Sequence, residues 1–347
     1  MSKVKNKILV TGGAGYIGSH TIIDIIENTD WEVISADNYS NSSPDAFKRI
    51  KKITGKKVKN YEVDLCDSKA VRRIFKDNKD ITGIIHFAAF KSVPDSVEQP
   101  LLYYHNNIES LVTILNCTKK FKVPYFIFSS SCSVYGNVTK LPVNEKTTLG
   151  FAVSPYGYTK QIGEQMLSDF ANTYTAGHAI ALRYFNPVGA HPSGLIGEVP
   201  TQKPNNLVPM ITQTAAGKHK EMMVYGDNYK TRDGTCIRDY VHVCDIARAH
   251  INALSYLIKT PKASAFSIFN LGTGKGVSVM EMIKAFEKVS GKKLNYKIAK
   301  RREGDVEAIY SDITLSKNTL HWNPKYSLNE MMGTAWKWQL NQKKGLK

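Results

Sequence analysis

No stretch of the 347-residue chain approaches the roughly 20 consecutive apolar residues that a membrane-crossing helix needs, so no membrane partner is expected. Cysteine is scarce as well. Cys66, Cys117, Cys132, Cys236 and Cys244 cannot all pair and none forms a Cys-x-x-Cys, which predicts a reduced, cytoplasmic setting and no metal site. The opening ILVTGGAGYIG, after a basic MSKVKNK, is too short and too glycine-rich for a signal-peptide core. Acidic residues are under-represented: 30 Asp and Glu face 47 Lys and Arg, a formal charge of +17. Such a surplus suits nucleic acid, an anionic membrane or an anionic small substrate. The densest basic run, KRIKKITGKKVK at 48–59, has no acid, no aromatic residue and no accompanying nucleic-acid motif. It reads as a solvated helix end and loop, and no nucleic-acid partner is expected. The excess charge would still gather phosphorylated ligands.

What is present is an ordinary globular composition, 42% hydrophobic and 22% charged, long enough for about two domains or one α/β unit with an elaborated second lobe. Short β-branched runs at 7–10, 32–37, 58–64, 82–89, 124–131 and 178–185 alternate with helical patterns at 16–27, 68–77, 101–121 and 155–174. This β-α-β order predicts a doubly wound parallel sheet. Residues 1–188 are expected to form that domain, rejoined by about 240–262. The stretch His191–Pro209 holds four prolines, and 189–239 with 263–347 should make a smaller α/β substrate lobe. Ligands of open α/β sheets sit at the carboxyl ends of the strands.

The first strand runs into Thr11-Gly12-Gly13-Ala14-Gly15-Tyr16-Ile17-Gly18. Gly12, Gly15 and Gly18 permit a tight turn, close approach to a diphosphate and close helix–strand packing, and the helix start offers free N–H groups. Asp37 follows Gly18 by 19 residues, at the end of the next strand, where an acid binds a ribose 2′-hydroxyl and disfavours a 2′-phosphate. The expected cofactor is NAD. Further on, Tyr156 and Lys160 are four residues apart and share one helix face. A free tyrosine ionises near 10, so a lysine ammonium and a positive nicotinamide ring must together supply a shift of about three units, roughly 4 kcal/mol, for it to act as a base near neutrality. The strand end Ser129–Gly136 reads SSSCSVYG, and a hydroxyl there could bind a substrate oxygen, although a serine run can equally satisfy its own backbone.

Taken together, TGGAGYIGSH, IIHFAA, FSSSCSVYG, SPYGYTK, RYFNPVGAHP and RREGD resemble the extended short-chain dehydrogenase/reductases over essentially the full chain. Within that family the resemblance is to members that invert C4 of a UDP-hexose. It implies a tightly held NAD that takes the C4 hydride and returns it to the other face of a 4-keto sugar. Tyr156 would move the 4-hydroxyl proton, Ser131 would support the 4-oxygen, and Lys160 would tune Tyr156 and hold the nicotinamide ribose. By the same resemblance the cofactor contacts fall on Tyr16, Ile17, Asp37, Asn38, Asn41, Ser42, Asp64, Leu65, Phe87, Ala88, Lys91, Asn106 and Phe185. The nucleotide-sugar contacts fall on Asn186, Asn206, Leu207, Val224, Tyr225, Arg238, Arg302 and Asp305. A guanidinium fork suits a diphosphate, but Arg238 precedes Asp239 and Arg302 precedes Glu303, so surface salt bridging stays open. Asn206 and Asp305 could equally be turn residues.

Two rival readings remain. A nucleotide-sugar 4,6-dehydratase needs a carboxyl acid beside the strand-end hydroxyl, and Cys132 and Ser133 stand there instead. A non-catalytic NAD-sensing module would not need Ser131, Tyr156 and Lys160 together. Ile309, four residues after Asp305, replaces a bulky tyrosine of several relatives near the sugar's 2-substituent, which predicts some activity on UDP-N-acetylglucosamine. Relatives commonly form homodimers through two long helices, here 101–121 and 155–174, whose apolar faces could also serve the monomer's core.

Overall fold

The computed structural model describes residues 5–200, 206–302 and 305–342. In the first half β1 (Lys7–Thr11), α1 (Tyr16–Asn28), β2 (Glu32–Ala36), α2 (Asp45–Thr54), β3 (Lys59–Tyr61), α3 (Ser68–Asp77) and β4 (Ile81–His86) follow one another. Then come α4 (Val93–Glu98), α5 (Pro100–Tyr104), α6 (Ser110–Phe121), β5 (Tyr125–Ser131), α7 (Pro155–Thr173) and β6 (His178–Tyr184). The remainder comprises β7 (Asn186–Val188), α8 (Leu207–Ala215), β8 (Met222–Tyr225), β9 (Ile237–His242), α9 (Val243–Lys259) and β10 (Phe266–Leu271). It closes with β11 (Gly276–Ser278), α10 (Val279–Ser290), β12 (Tyr296–Ala299), β13 (Ala308–Ile309), α11 (Thr314–Leu320) and α12 (Leu328–Gln342).

Seven parallel strands form the main sheet in the order β10-β6-β5-β4-β1-β2-β3. The apolar runs explain the burial on both faces. Ile8 and Val10 point into one core layer with α1 and α9, while Leu9 between them points into the other with α3, α6 and α7. Each such side chain, fully buried, contributes about 1.5–3 kcal/mol. Gly83 in β4 leaves room for Ile8 and Leu254, whose methyls would stand 3.1 Å from an added Cβ. The strand order reverses between β1 and β4, which opens the crevice where ligands of doubly wound sheets bind.

One expectation changes. Strand β10 pairs with β6 as the edge of the main sheet, so 266–271 belong to the large domain and not to the smaller lobe. The alternating burial of Phe269 and Leu271 into the main core requires it. The pattern over 101–121 is helical throughout, as expected, but not α throughout. A π turn at His105–Glu109 separates α5 from α6 and carries Asn107 inward. Asn107 then clamps a backbone that lacks a ladder partner: its amide accepts from Phe90 N (2.8 Å) and donates to Phe90 O (3.0 Å) and Thr159 Oγ1 (3.2 Å).

The smaller lobe carries β11-β9-β13 with β7 paired to β9, a separate β12-β8 pair, and α8, α10 and α12 around a third core. The chain passes from one sheet to the other at Phe185. Tyr184 pairs with Ser131 in the main sheet and Asn186 with Tyr240 in the small one.

Candidate active site

The glycine loop is shaped for a dinucleotide. Gly12 has φ +70°, and a Cβ there would come within 2.8 Å of Ala88 N. At Gly18 it would meet Gly12 O at 2.3 Å, so this glycine sets how closely α1 packs on β1. At Gly15 the only neighbour is Gly12 O at 3.1 Å. Gly15 is also the N-cap of α1 and provides no side-chain cap, so the first N–H groups of the helix, at Tyr16 and Ile17, face that open side. Asp37 is 7% exposed and braces the loop: one carboxylate oxygen accepts from Ala14 N (2.9 Å), the other from Tyr39 N (2.9 Å) and Ser42 Oγ (2.8 Å). Three acceptor positions used leave room for a ribose hydroxyl. These residues fit a dinucleotide, and a buried carboxylate at this point opposes a 2′-phosphate.

The other expected cofactor residues divide between direct and supporting positions. Asp64 caps its own turn through Cys66 N (2.8 Å), and Asn106 donates to Asn107 Oδ1 (2.9 Å). Lys91 pairs with Glu198 at 3.1 Å and stands over the Tyr16 ring, whose hydroxyl donates to Gly189 O (2.6 Å). Asn38 and Asn41 are exposed on the loop after β2. Leu65 and Phe185 are core side chains, which leaves chiefly their backbone for a ligand. Phe87 lies 4.6 Å from the His250 ring, and Ala88 N reaches Thr11 Oγ1 at 3.4 Å.

The residues expected to serve proton transfer, Ser131, Tyr156 and Lys160, come together at the carboxyl end of β5. Ser154 caps α7 by accepting from Gly157 N (3.1 Å), with Pro155 in the first turn, and so fixes where the Tyr156–Lys160 face begins. The Ser131 side chain lies close enough to the Tyr156 hydroxyl to favour its ionised form. Ser133 donates to Ser131 Oγ both from its hydroxyl (3.0 Å) and from its N–H (3.2 Å). Lys160, 4% exposed, donates to Ser129 O at 2.7 Å and lies 4.9 Å above the Phe128 ring and 5.8 Å from that of Tyr156. Burial pushes Tyr156 up to about 12, with Ser131 pulling the other way. Burial pushes Lys160 down to about 8, opposed by the Glu164 charge. A base near neutrality therefore needs a larger downward shift than the free amino acid suggests, supplied by positive charge beside the ring.

The second lobe supplies the opposing wall. Arg238 pairs with Asp305 (3.4 Å) rather than with its neighbour Asp239. Asp239 is fully buried and accepts from Thr273, Gly274 and Ser311. The Arg302 guanidinium stacks on the Tyr225 ring at 4.3 Å, and Glu303, its alternative partner, lies outside the described residues. Val224 is core, Leu207 begins α8, and Asn206 donates to Glu198 (3.0 Å). Asn186 Oδ1 is buried with no hydrogen-bond partner among the described residues. Ile309 pairs with Arg238 across β13 and β9, and packs with Val134, Tyr135, Val143 and Phe185. Cys132 is pushed up to about 12 by burial, and Ser133 is spent on Ser131, so neither serves as the acid an elimination requires. Among the described residues no group of three His, Cys, Asp or Glu could hold a metal, and no helix is long and apolar enough to cross a membrane.

A glycine-loop Rossmann sheet with Ser131, Tyr156 and Lys160 at its carboxyl edge defines a dinucleotide-dependent short-chain dehydrogenase/reductase. The chain matches the model of the GDP-mannose 4,6 dehydratase family over residues 9–334. It is 47% identical to the UDP-glucose 4-epimerase of Bacillus subtilis, covering 98% of each chain, and 44% identical to that of Drosophila melanogaster, covering 97% of each. The UDP-glucose 4-epimerase of Bifidobacterium longum, solved with NAD+ and UDP, superposes with a TM-score of 0.93 at 43% identity over 98% of this chain and 100% of that one. The chain belongs to the family that the matching model describes and, within it, to the UDP-glucose 4-epimerases.

Proposed function

We propose that this protein interconverts UDP-glucose and UDP-galactose, with Tyr156 moving the proton of the sugar's 4-hydroxyl. The observation that carries the assignment of roles is the buried Lys160, held on Ser129 O at the strand end beside Ser131 and 5.8 Å from the Tyr156 ring. Bound NAD supplies reversible two-electron chemistry at the sugar's C4. Tyr156 takes the proton from O4 on the way to the 4-keto sugar and returns it afterwards. Ser131 holds the same oxygen, and the Lys160 ammonium stabilises the phenolate. Arg238 and Arg302 hold the diphosphate from the smaller lobe, and the buried Asn186 Oδ1 accepts from an O–H or N–H of the substrate. The grip thus falls on the nucleotide, and the hexose is left free to present its other face. Purified protein given UDP-galactose without added NAD should form UDP-glucose. No conversion, with or without added NAD, overturns the reading.

Three finer readings accompany it. The branched Ile309 in place of a tyrosine supports turnover of UDP-N-acetylglucosamine as well. The UDP-Glc/GlcNAc 4-epimerase of Campylobacter jejuni is a solved relative at 36% identity and a TM-score of 0.83. Exposed Val97, Leu101 and Tyr158, on α4, α5 and α7, support a homodimer through these helices. Five unpaired cysteines suit the cytoplasm.

A further inference from the structure

Directly beneath the proton-transfer residues lies a buried ion pair that the chemistry above does not use. Glu164 follows Lys160 by four residues on α7 and is 5% exposed; Arg183, in the otherwise apolar β6, is 2% exposed. The guanidinium forks onto the carboxylate, with Nε to Oε1 at 2.9 Å and Nη2 to Oε2 at 2.7 Å. Ser130 adds its hydroxyl to Oε1 at 2.5 Å. The remaining Arg183 nitrogen donates to the Tyr135 hydroxyl (3.0 Å), which donates to Asn270 Oδ1 on β10 (2.7 Å). Replacing such a pair by apolar residues is often neutral or stabilising, so its place in this core is not explained by stability alone.

The pair completes a ladder between one strand and one helix. Consecutive residues of β5 face residues spaced by four on one face of α7: the Ser129 carbonyl accepts from Lys160, Ser130 donates to Glu164, and Ser131 lies near Tyr156. Only the Ser130–Glu164 rung is locked from a second strand, by Arg183. It therefore sets the height and rotation of α7 against the strand end, and it puts a carboxylate one turn from the lysine. We propose that Glu164, clamped by Arg183 and Ser130, is a positioning residue for the epimerisation: it holds Tyr156 and Lys160 in register with Ser131 and neutralises the Arg183 charge beside the lysine. This rests on the assignment of Tyr156 and Lys160 given above. The groups around Lys160 leave Glu164 that task. His86 from β4 is held neutral by burial and the lysine's own charge, Phe128 from β5 offers only its ring, and Tyr156 shares the lysine's helix. Glu164 is what opposes the effect of burial on the lysine.

The test uses Glu164→Gln, Glu164→Gln/Arg183→Met and Ser130→Ala, each checked for bound NAD per chain and for melting temperature. The wild type must first convert UDP-galactose; if it does not, the proposed function fails and not this inference. In Glu164→Gln, kcat should fall about tenfold at unchanged KM. The alkaline limb of kcat, where Lys160 loses its proton, should move down by about one pH unit, since Arg183 is left uncompensated beside it. The double variant removes that stranded charge, so its limb should move back toward the wild-type position while kcat stays low. Ser130→Ala deletes one hydrogen bond and strands no cation, and should lower kcat a few-fold at unchanged KM. A lower melting temperature with wild-type kcat and an unmoved alkaline limb would make the pair purely structural and overturn the proposal. If Glu164→Gln does not fold, a wild-type kcat in Ser130→Ala and in the double variant does the same.

Discussion

Mild acid should destabilise this protein before its surface carboxylates titrate. His20, His86, His242 and His250 are each at most 2% exposed, and burial pushes them down to about 3, 3, 3 and 4. Burial is the main cause, and His242 Nδ1 also accepts from Cys244 N at 3.1 Å, which requires the neutral ring. His20 Nδ1 lies 2.7 Å from Tyr16 O and His250 Nδ1 2.8 Å from Ile246 O, so both nitrogens donate and the tautomer follows. His250 Nε2 then accepts from the Tyr184 hydroxyl at 2.7 Å, a bond whose direction protonation would reverse. Because the folded values lie below the unfolded value of about 6.5, the stabilisation is complete above that pH and is lost as pH falls toward the folded values. Between pH 7 and 5.5 the loss depends only on the unfolded value, about 1 kcal/mol per histidine and on the order of 5 kcal/mol for four. A domain's whole stability is about 5–15 kcal/mol. Asp24, Glu145 and Asp245, raised chiefly by burial, offset part of this at still lower pH. Urea unfolding followed by tryptophan fluorescence from pH 7.5 to 5.5 reads the effect. A stability constant to within about 1 kcal/mol across that window refutes the reasoning.

Two further substitutions test the site directly. Tyr156→Phe should keep NAD and UDP binding and lose about 10²–10⁴-fold in kcat, the usual worth of one proton-transfer group, and stopped-time product analysis checks it. Gly18→Ala would place a methyl 2.3 Å from Gly12 O, so the loop must move, and the purified protein should carry much less NAD by absorbance.

The sequence was most legible where one residue type permits one conformation or one spacing one face. The glycine loop, Asp37 and the Tyr156–Lys160 pair are of this kind, and the six strands up to β6 appear close to where their apolar runs lie. Illegible features depended on contacts far along the chain. Strand β10 reads as part of the smaller lobe until it pairs with β6. The π turn exists because Asn107 finds Phe90 and Thr159, and only the doubled asparagine at 106–107 hints at it. Arg183 in an apolar strand and an acid four residues after Lys160 were available signals, since charges almost never enter a core unpaired. Arg238 could not be matched to Asp305 by adjacency, because Asp239 spends its carboxylate on the Thr273–Gly274 turn and Ser311.

Ile309 is where substrate range can be separated from mechanism. It is 6% exposed, on a two-residue strand held to β9 beside Arg238, so its backbone cannot drift without disturbing the nucleotide wall. A tyrosine at this position overfills the cluster of Val134, Tyr135, Val143 and Phe185. The ring must either strain that core, at about 1–3 kcal/mol, or extend out of it. The second course narrows the space beside the hexose without touching Ser131, Tyr156 or Lys160. Ile309→Tyr should therefore keep turnover of UDP-galactose within a few-fold and lose at least tenfold on UDP-N-acetylgalactosamine, since an acetamido group is bulkier than a hydroxyl. Competing the two substrates in one reaction measures the ratio free of any difference in active fraction. If a folded Ile309→Tyr shows the wild-type ratio, the position does not face the sugar's 2-substituent, and the width of the site must be set from elsewhere.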